Sequence, residues 1–529
     1  MPQGAQVIQA AGKFIMPGFS DMHVHWAGWM PEVFLHYGVT TAVDLDSGDW
    51  EVAQRNLIAD GRMRGPRIFN AAPSLIGRGL YDMPEGRAAY GIVGALASPE
   101  QARRAVRQIG PGREKYNVTK TYTELTFDQL QAIAEESHKA GRNVISHLGS
   151  LDARQAAEAG TDGIAHTSGV ALATIDDPVK ADELRTFTRI GLSVDYPLYL
   201  MYHAYMVPAK VDELIKLLVQ KNVRIEAELV NVAGRWDRKH KEVWLAEDRR
   251  FFQDSNVQYI TEEQRDRIFY YEALNKMTDQ QRALVARGFE NLTNFIHKFV
   301  QAGGKVLAGC DTASYVLSGI CLHRELELLV NEAGLTPMQA IQAATKNNFE
   351  FLQEPDLGTI EQGKLADIII VKEDPLADIK NTRTIDTVIK DGKVQDTNFH
   401  ADFVNPIPRP SPDPPISITN PKPFIRVMYP MSSKELNKNL TLTIEGTGLM
   451  DGSVVEFDGM ELPATPVKST LIRETMYLPQ YTQLTVTLPA RLLNRYGDYK
   501  VVVKNPKPYG YQNSIVVGAS NILNFSIAR

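Results

Sequence analysis

Two histidines two residues apart, His23 and His25 in DMHVHW, close a short apolar run that begins PGF at Pro17. On a strand, side chains at i and i+2 point to the same side, so both imidazoles can grip one metal ion. A single pair leaves a coordination sphere unfilled, and partners must come from elsewhere in the chain. Of the eleven histidines, His147 in VISH and His166 in GIAH also end short β-branched runs, Asp311 ends KVLAGCD, and Lys120 ends the run before His147. Neutral imidazoles with a carboxylate suit zinc or another borderline divalent ion and leave a position open for water. A lysine ammonium would repel such ions. Lys120 joins them only as a carbamate formed with carbon dioxide, an anion whose two oxygens can bridge two metals; otherwise it is a surface or salt-bridged lysine. His36, His138, His203, His240, His297 and His400 lie in helical or loop text and read as structural.

The elements that must carry these residues alternate. Eight candidate strands fall near 19–25, 38–45, 66–72, 116–120, 143–147, 162–166, 222–231 and 305–311. Helical patterns separate them. Ser98-Pro-Glu-Gln101 and Thr336-Pro-Met-Gln339 each combine an N-cap, a proline at the first helical position and Gln in the capping-box place. Leu130, Ile133 and Ala134 in 128–140 share one helical face. Strand then helix, eight times over, predicts an α/β fold with a closed (β/α)8 TIM barrel over 18–345, whose active site gathers at the carboxyl ends of the strands. The stretch 192–301 reads as an elaborated loop with its own helices, either a lid or substrate wall or a solvated helical hairpin.

After the barrel, ADIIIVKED and DTVIKDGKV suggest a small sheet, so that 1–17 and 346–400 together would form an incomplete β-sandwich subdomain. The proline-dense PIPRPSPDPP marks a linker over 401–415. From 416 to 529 the text is all β, in LTLTIEGTG, SVVEFDG, TQLTVTLPA, DYKVVVKNP and ILNFSIA, which predicts a sandwich of immunoglobulin size.

With 529 residues, several cores are required. A net charge of −6 makes no electrostatic case for nucleic acid or an anionic membrane, so a small-molecule substrate is the expected partner. No apolar run approaches the roughly 18–20 residues that span a bilayer, and the first ten residues lack the pattern of a signal peptide. Cys310 and Cys321 provide no disulfide framework.

The order His-x-His, Lys, His, His, Asp, opened by PGFSDMHVH and closed by LAGCD, resembles the metal-dependent amidohydrolase superfamily. In detail it is most similar to the branch of imidazolonepropionase-like proteins and prolidase-type dipeptidases. The resemblance continues through LHRELELL, LTPMQAIQAAT and LGTIEQGKLADIIIV, over about 6–394. It implies that His23, His25 and Asp311 hold one metal and His147 and His166 another, zinc in the first instance, with carboxylated Lys120 and a hydroxide bridging. It further implies hydroxide attack on an amide or peptide-like C–N bond, with Asp311 as the general base that passes the proton to the leaving amine. His323 is open to a role beside the metals or substrate, although packing on the barrel is the preferred reading. Substrate specificity is expected from loops, with Arg78, Arg87 and Tyr196 as candidate carboxylate holders.

Two departures from the family pattern carry expectations. Cys310 stands where Thr is usual and would present a thiol beside the site. The segment before PGF is shorter than in relatives, as in a truncated chain, so Ile368, Ile370 and Val388 should lose cover and stability should fall. The carboxy-terminal region resembles an IPT/TIG immunoglobulin-like domain, which implies a spacer or a contact to polysaccharide or protein and leans toward a bacterial periplasmic or secreted parent. A homo-oligomer is compatible with the reading. The rival functions are a lactone or phosphoester hydrolase using the same site, and a non-catalytic binding or scaffold protein built on a relic barrel.

Overall fold

The computed structural model describes residues 7–77, 96–189, 197–236, 238–261, 264–265, 268, 278–312, 316–407, 423–450, 452–467, 471–474, 479–505, 520 and 522–528. Two compact units divide it, Met1–Pro410 and Ser411–Arg529.

In the first unit, β1 (Phe14–Pro17) pairs antiparallel with β10 (Ile368–Val371), which continues to β11 (Ile385–Lys390) and β12 (Lys393–Val394) in one four-stranded sheet. Here Ile370 and Val388 are buried, contrary to the loss of cover expected for them, whereas Ile368 is half-buried and Phe14, Ile15 and Val394 in the same sheet are exposed.

Eight parallel strands follow. β2 (Phe19–Val24), β3 (Val39–Asp44) and β4 (Arg67–Asn70) form one sheet. β5 (Val118–Thr121), β6 (Asn143–Ser146), β7 (Gly163–Ile164), β8 (Arg224–Glu226) and β9 (Val306–Leu307) form another. The expected single closed sheet is thus divided in two, and side chains explain where the ladder breaks. Between β4 and β5, the Asn117 carboxamide oxygen accepts the Asn70 N–H at 3.1 Å. Between β9 and β2, the Asp21 carboxylate accepts the N–H of Cys310 at 3.0 Å and that of His23 at 3.2 Å. Isolated parallel bridges, Ala71 to Val118 and Val24 to Thr312, join the neighbouring edges there.

The helices between strands start where the sequence signals them. Ser98 caps Pro99–Ile109, Thr126 caps Phe127–Lys139 and Thr336 caps Pro337–Ala343, the last two with complete capping boxes. Two expectations fail. The strand predicted to run to Asn231 stops at Glu226, because Leu229–Trp236 is already helical and the Val230 N–H is held by the Glu325 carboxylate at 2.7 Å. Among the described residues, 192–301 also does not read as a solvated hairpin. Its helix Pro208–Gln220 buries Val211, Leu214, Ile215 and Leu218, and Asp279–Gln301 buries Phe289, Leu292, Phe295, Ile296 and Phe299. No described helix is long and apolar enough to cross a membrane.

The second unit is all β. One sheet orders β13 (Phe424–Tyr429), β15 (Leu440–Met450), β20 (Pro479–Leu488) and β18 (Thr465–Pro466), with β19 (Leu471–Glu474) also on β20. The other orders β14 (Ser432–Ser433), β22 (Leu523–Ile527), β21 (Gly497–Lys504), β16 (Val454–Phe457) and β17 (Met460–Pro463). Period-two alternation turns Ile444, Leu484, Val486, Phe457, Val501, Val503 and Phe525 into one apolar cluster.

Candidate functional site

Strands β2 and β5 through β9 bring a set of ionisable side chains to their carboxyl ends. His23 points inward from β2, and its ring centroid lies 4.7 Å from that of His166 and 5.3 Å from that of His25. His25 Nε2 is 3.1 Å and His23 Nε2 3.6 Å from Asp311 Oδ1. The other Asp311 oxygen accepts from Asn231 Nδ2 at 3.0 Å. His147 meets His166 edge-on, with ring centroids 4.6 Å apart, and Tyr122 at a tilt, 4.2 Å apart. His25, with 47% of its side chain exposed, is the open member of an otherwise buried set.

Backbone conformation supports this convergence. His166, Glu228 and Asp311, each just beyond the end of a strand, have φ of 59°, 47° and 53°. Left-handed backbone at a non-glycine residue costs on the order of 1–3 kcal/mol and persists where surrounding structure imposes it. Gly309 serves the same packing differently: a Cβ there would meet Glu226 Oε1 at 2.7 Å and the His23 nitrogen at 2.8 Å. The backbone beside Asp311 therefore approaches β2 and β8 as only glycine allows.

Lys120 on β5 is 2% exposed, and its Nζ has no hydrogen-bond partner among the described residues. A buried ammonium without a partner is costly. Burial accordingly lowers the Lys120 pKa, against the opposing charges of Glu226, Glu228 and Asp311. Burial likewise pushes His23, His147 and His166 well below the usual imidazole value, helped by Lys120 and by one another. Burial would raise Asp311, but the imidazoles of His23, His25 and His166 hold its carboxyl well below the usual range. Desolvation would lower His25, yet the hydrogen bond and charge of Asp311 raise it.

Neutral imidazoles with lone pairs, an ionised carboxylate and a buried amine lacking a partner are the donor chemistry that divalent cations and a lysine carbamate require. His23, His25 and Asp311 each bring a ligand atom to within 4.8 Å of one another, and so do His23, His166 and Glu228. The first group is the set the sequence assigns to one ion, whereas the second joins Glu228 and His23 to His166 in place of His147; in donor chemistry the residues fit a divalent-cation site.

Glu226 and Glu228 are the site residues that sequence reading missed. Both are buried, and burial raises both carboxyls; Glu226 raises Glu228 further, whereas Lys120, His166 and Glu228 pull Glu226 down. The signal was present: two carboxylates at spacing two in RIEAEL, the same pattern as HVH. It was hidden in a run read as one long strand. Cys310 also departs from expectation. It is disulfide-bonded to Cys321, with 6.0 Å between Cα atoms, and both are fully buried. The expected free thiol is absent because helix Ile320–Asn331 carries Cys321 back against the end of β9. His323 is buried on that helix, paired with Thr382 Oγ1 and the Tyr37 carbonyl at 2.9 Å each, and takes no part in the site. His36, His138, His297 and His400 hydrogen-bond to Thr397, Asp162, Ala333 and Glu32. Arg78, Arg87 and Tyr196 lie outside the described residues.

The profile of the amidohydrolase family matches residues 14–395. Ochratoxinase of Aspergillus niger is 24% identical over 439 residues, covering 72% of this chain and 75% of that protein. Among solved structures, a putative prolidase from Bifidobacterium longum aligns with a TM-score of 0.51 at 23% identity, over 74% of this chain and 84% of its own. A Xaa-Pro dipeptidase with bound methionine in the active site aligns with a TM-score of 0.50 at 21% identity, over 73% and 87%. At these identities the structural likeness is one of fold.

Proposed function

Because the chain belongs to the amidohydrolase family, we propose that it hydrolyses an amide or peptide-like C–N bond in a small substrate of the dipeptide or N-acyl amino acid type. The observation that carries this reading is the buried Lys120 amine, without a partner, amid neutral imidazoles and the Asp311 carboxylate. The two parallel sheets are read as one (β/α)8 barrel with that cluster at its carboxyl face. His23, His25 and Asp311 would hold one divalent ion, zinc in the first instance, and His147 and His166 another. Lys120 would contribute to both as its carbamate: the neutral amine adds to carbon dioxide, and the proton goes to solvent. Bound ions supply charge that polarises a scissile carbonyl and lowers the pKa of water.

The chain's own residues do the rest. Asp311, ionised and steadied by Asn231, accepts the proton of the attacking water and returns it to the leaving amine. His25, at the open edge, lies where substrate enters. The buried walls exclude bulk water from the cluster and so strengthen every charge interaction inside it. The carboxy-terminal unit is read as an IPT/TIG immunoglobulin-like module serving as a spacer or contact surface, apart from the chemistry.

The test is metal content and hydrolysis together. Protein purified without chelator and supplied with bicarbonate should carry about two zinc ions per chain, as the family's two-metal chemistry requires. Lys120→Ala should lose metal and activity. A panel of dipeptides, N-acyl amino acids, lactones and phosphoesters then separates C–N from ester chemistry. A metal-loaded parent inactive on the whole panel would overturn the enzymatic reading in favour of a binding protein.

A further inference from the structure

Glu226 and Glu228 sit at the end of β8, a strand that contributes none of the proposed ligands. Glu228 Oε1 lies 2.6 Å from His23 Nδ1, and its other oxygen, Oε2, pairs with His166 Nδ1. Glu226 Oε2 is 3.0 Å from the same His23 Nδ1. His23 is therefore hydrogen-bonded to Glu226 and His166 to Glu228, while Glu228 Oε1 lies close to His23 without a hydrogen bond among the described residues; the two imidazoles belong to different ligand sets. All four side chains are almost completely buried, so no water competes for the contacts.

We propose that Glu226 and Glu228 are positioning residues, Glu226 fixing the ring orientation and tautomer of His23 and Glu228 those of His166. The argument rests on the metal reading above and goes beyond it. In this arrangement each carboxylate accepts from its imidazole, so each ring carries its proton on Nδ1. That leaves Nε2 as the nitrogen with a free lone pair, and His23 Nε2 is the atom that faces Asp311. A carboxylate on the far nitrogen of a ligating imidazole both orients the ring and raises its basicity. The left-handed backbone at Glu228 turns its carboxyl back between the two rings. Two acids thus serve two dyads from one strand end, one for each half of the site. The competing geometry has Glu228 itself as a ligand beside both Nδ1 atoms, and it demands the opposite tautomers.

The experiment compares the full-length parent with Glu228→Ala, Glu228→Gln and Glu226→Gln. Zinc titrated against a competing chelator should bind roughly 10- to 100-fold more weakly at one equivalent in Glu228→Ala. In Glu226→Gln the other equivalent should weaken. Glu228→Gln keeps the volume of the side chain but can accept through only one oxygen, so it should weaken at least one equivalent even if the alanine variant folds poorly. In metal-free protein, nitrogen NMR of labelled histidine should place the proton on Nδ1 of His23 and His166 in the parent, with mixed tautomers at His166 in Glu228→Gln. Unchanged zinc affinities in both Glu228 variants would overturn the proposal, as would Nε2-protonated rings in the parent. A parent that takes up no zinc defeats the metal reading, and the tautomers then decide the roles of Glu226 and Glu228 by themselves.

Discussion

In the unit Ser411–Arg529 the interior includes Met428, Ile444, Phe457, Leu484, Val501 and Phe525, whereas the unit Met1–Pro410 buries Lys120, Glu226, Glu228 and, among others, the imidazoles of His23, His147 and His166. Among the described residues, Ser453 and Ser520 are the buried side chains of the carboxy-terminal unit classed as polar. Burying a charge costs several kcal/mol unless it is paired, so a fold with no task at its centre has no reason to keep one. The first unit also contains an internal control. Arg324 is as buried as Lys120, but it meets Asp248 at 2.7 Å and Glu247 at 2.9 Å and lies 5.3 Å over the Trp244 ring. Arg324 is charge made safe by structure. Lys120 has neighbouring carboxylates but no hydrogen-bonded partner among the described residues, and that difference points to chemistry.

The largest effect that could break this contrast is on hydrolysis. Asp311→Asn removes the proton acceptor while keeping the shape and the contact to Asn231, and should lower kcat by roughly 10²- to 10⁴-fold. The thermal transition of the carboxy-terminal unit should not move. Activity near the parent's would mean that the polar interior is structural after all.

The reverse experiment is Phe457→Ala. Phe457 is buried and stacks on Tyr499 at 4.9 Å, so truncation should cost about 3–5 kcal/mol in that unit. Calorimetry of the full chain should show the loss in one transition, with kcat unchanged. A parallel fall in kcat would show that the second unit supports the site.

How far this division could be read from the sequence depends on what each feature requires. The His-x-His pair, His147, His166 and Asp311 were legible because strand period and strand-end position need only local text. The sandwich strands were legible for the same reason, since apolar alternation in TIEGT or VTLPA is independent of distant residues. Glu226 and Glu228 were not, because a strand that gives way to a helix at Leu229 looks continuous when both are apolar. The divided ladder was hidden too: Asp21 and Asn117 replace backbone partners through side chains that only tertiary proximity supplies. Position alone suggested Lys120, but its missing partner is a property of the packed interior.

A third prediction sharpens the line between structural and chemical charge inside the first unit. Burial pushes His323 down to about 3 from an ordinary value of 6.5. The unfolded chain therefore binds a proton that the folded chain refuses between those values. Stability from this group is complete above pH 6.5 and is lost as pH falls toward 3. At pH 5 the loss is about 2 kcal/mol relative to neutral pH. Glu325, pushed up to about 8 by burial, has the opposite slope and loses stability as pH rises from 4.5 to 8. Comparing the parent with His323→Gln isolates the histidine: denaturant midpoints should converge at acid pH, and a constant difference between the two proteins would contradict the assignment.

The smallest effect tests whether the site is insulated from its own scaffold. Thr336 accepts the Gln339 N–H at 3.2 Å, and Gln339 returns a bond to the Thr336 N–H at 2.9 Å. The helix so capped, Pro337–Ala343, ends where the Ala344 carbonyl holds the Ser20 N–H at 2.8 Å and the Ala343 carbonyl holds that of Ala308 at 3.1 Å. Those contacts grip β2 and β9 before His23 and Asp311 are reached. Thr336→Ala should therefore cost about 1 kcal/mol of stability in the first transition, with kcat and zinc affinity unchanged. The left-handed turn at Asp311 and the Asp21 bracket lie between cap and site, and they should absorb a shift of that size. A loss of zinc affinity in Thr336→Ala would show that the ligand geometry is held by the whole helix layer, and the boundary between packing and chemistry would have to be drawn further out.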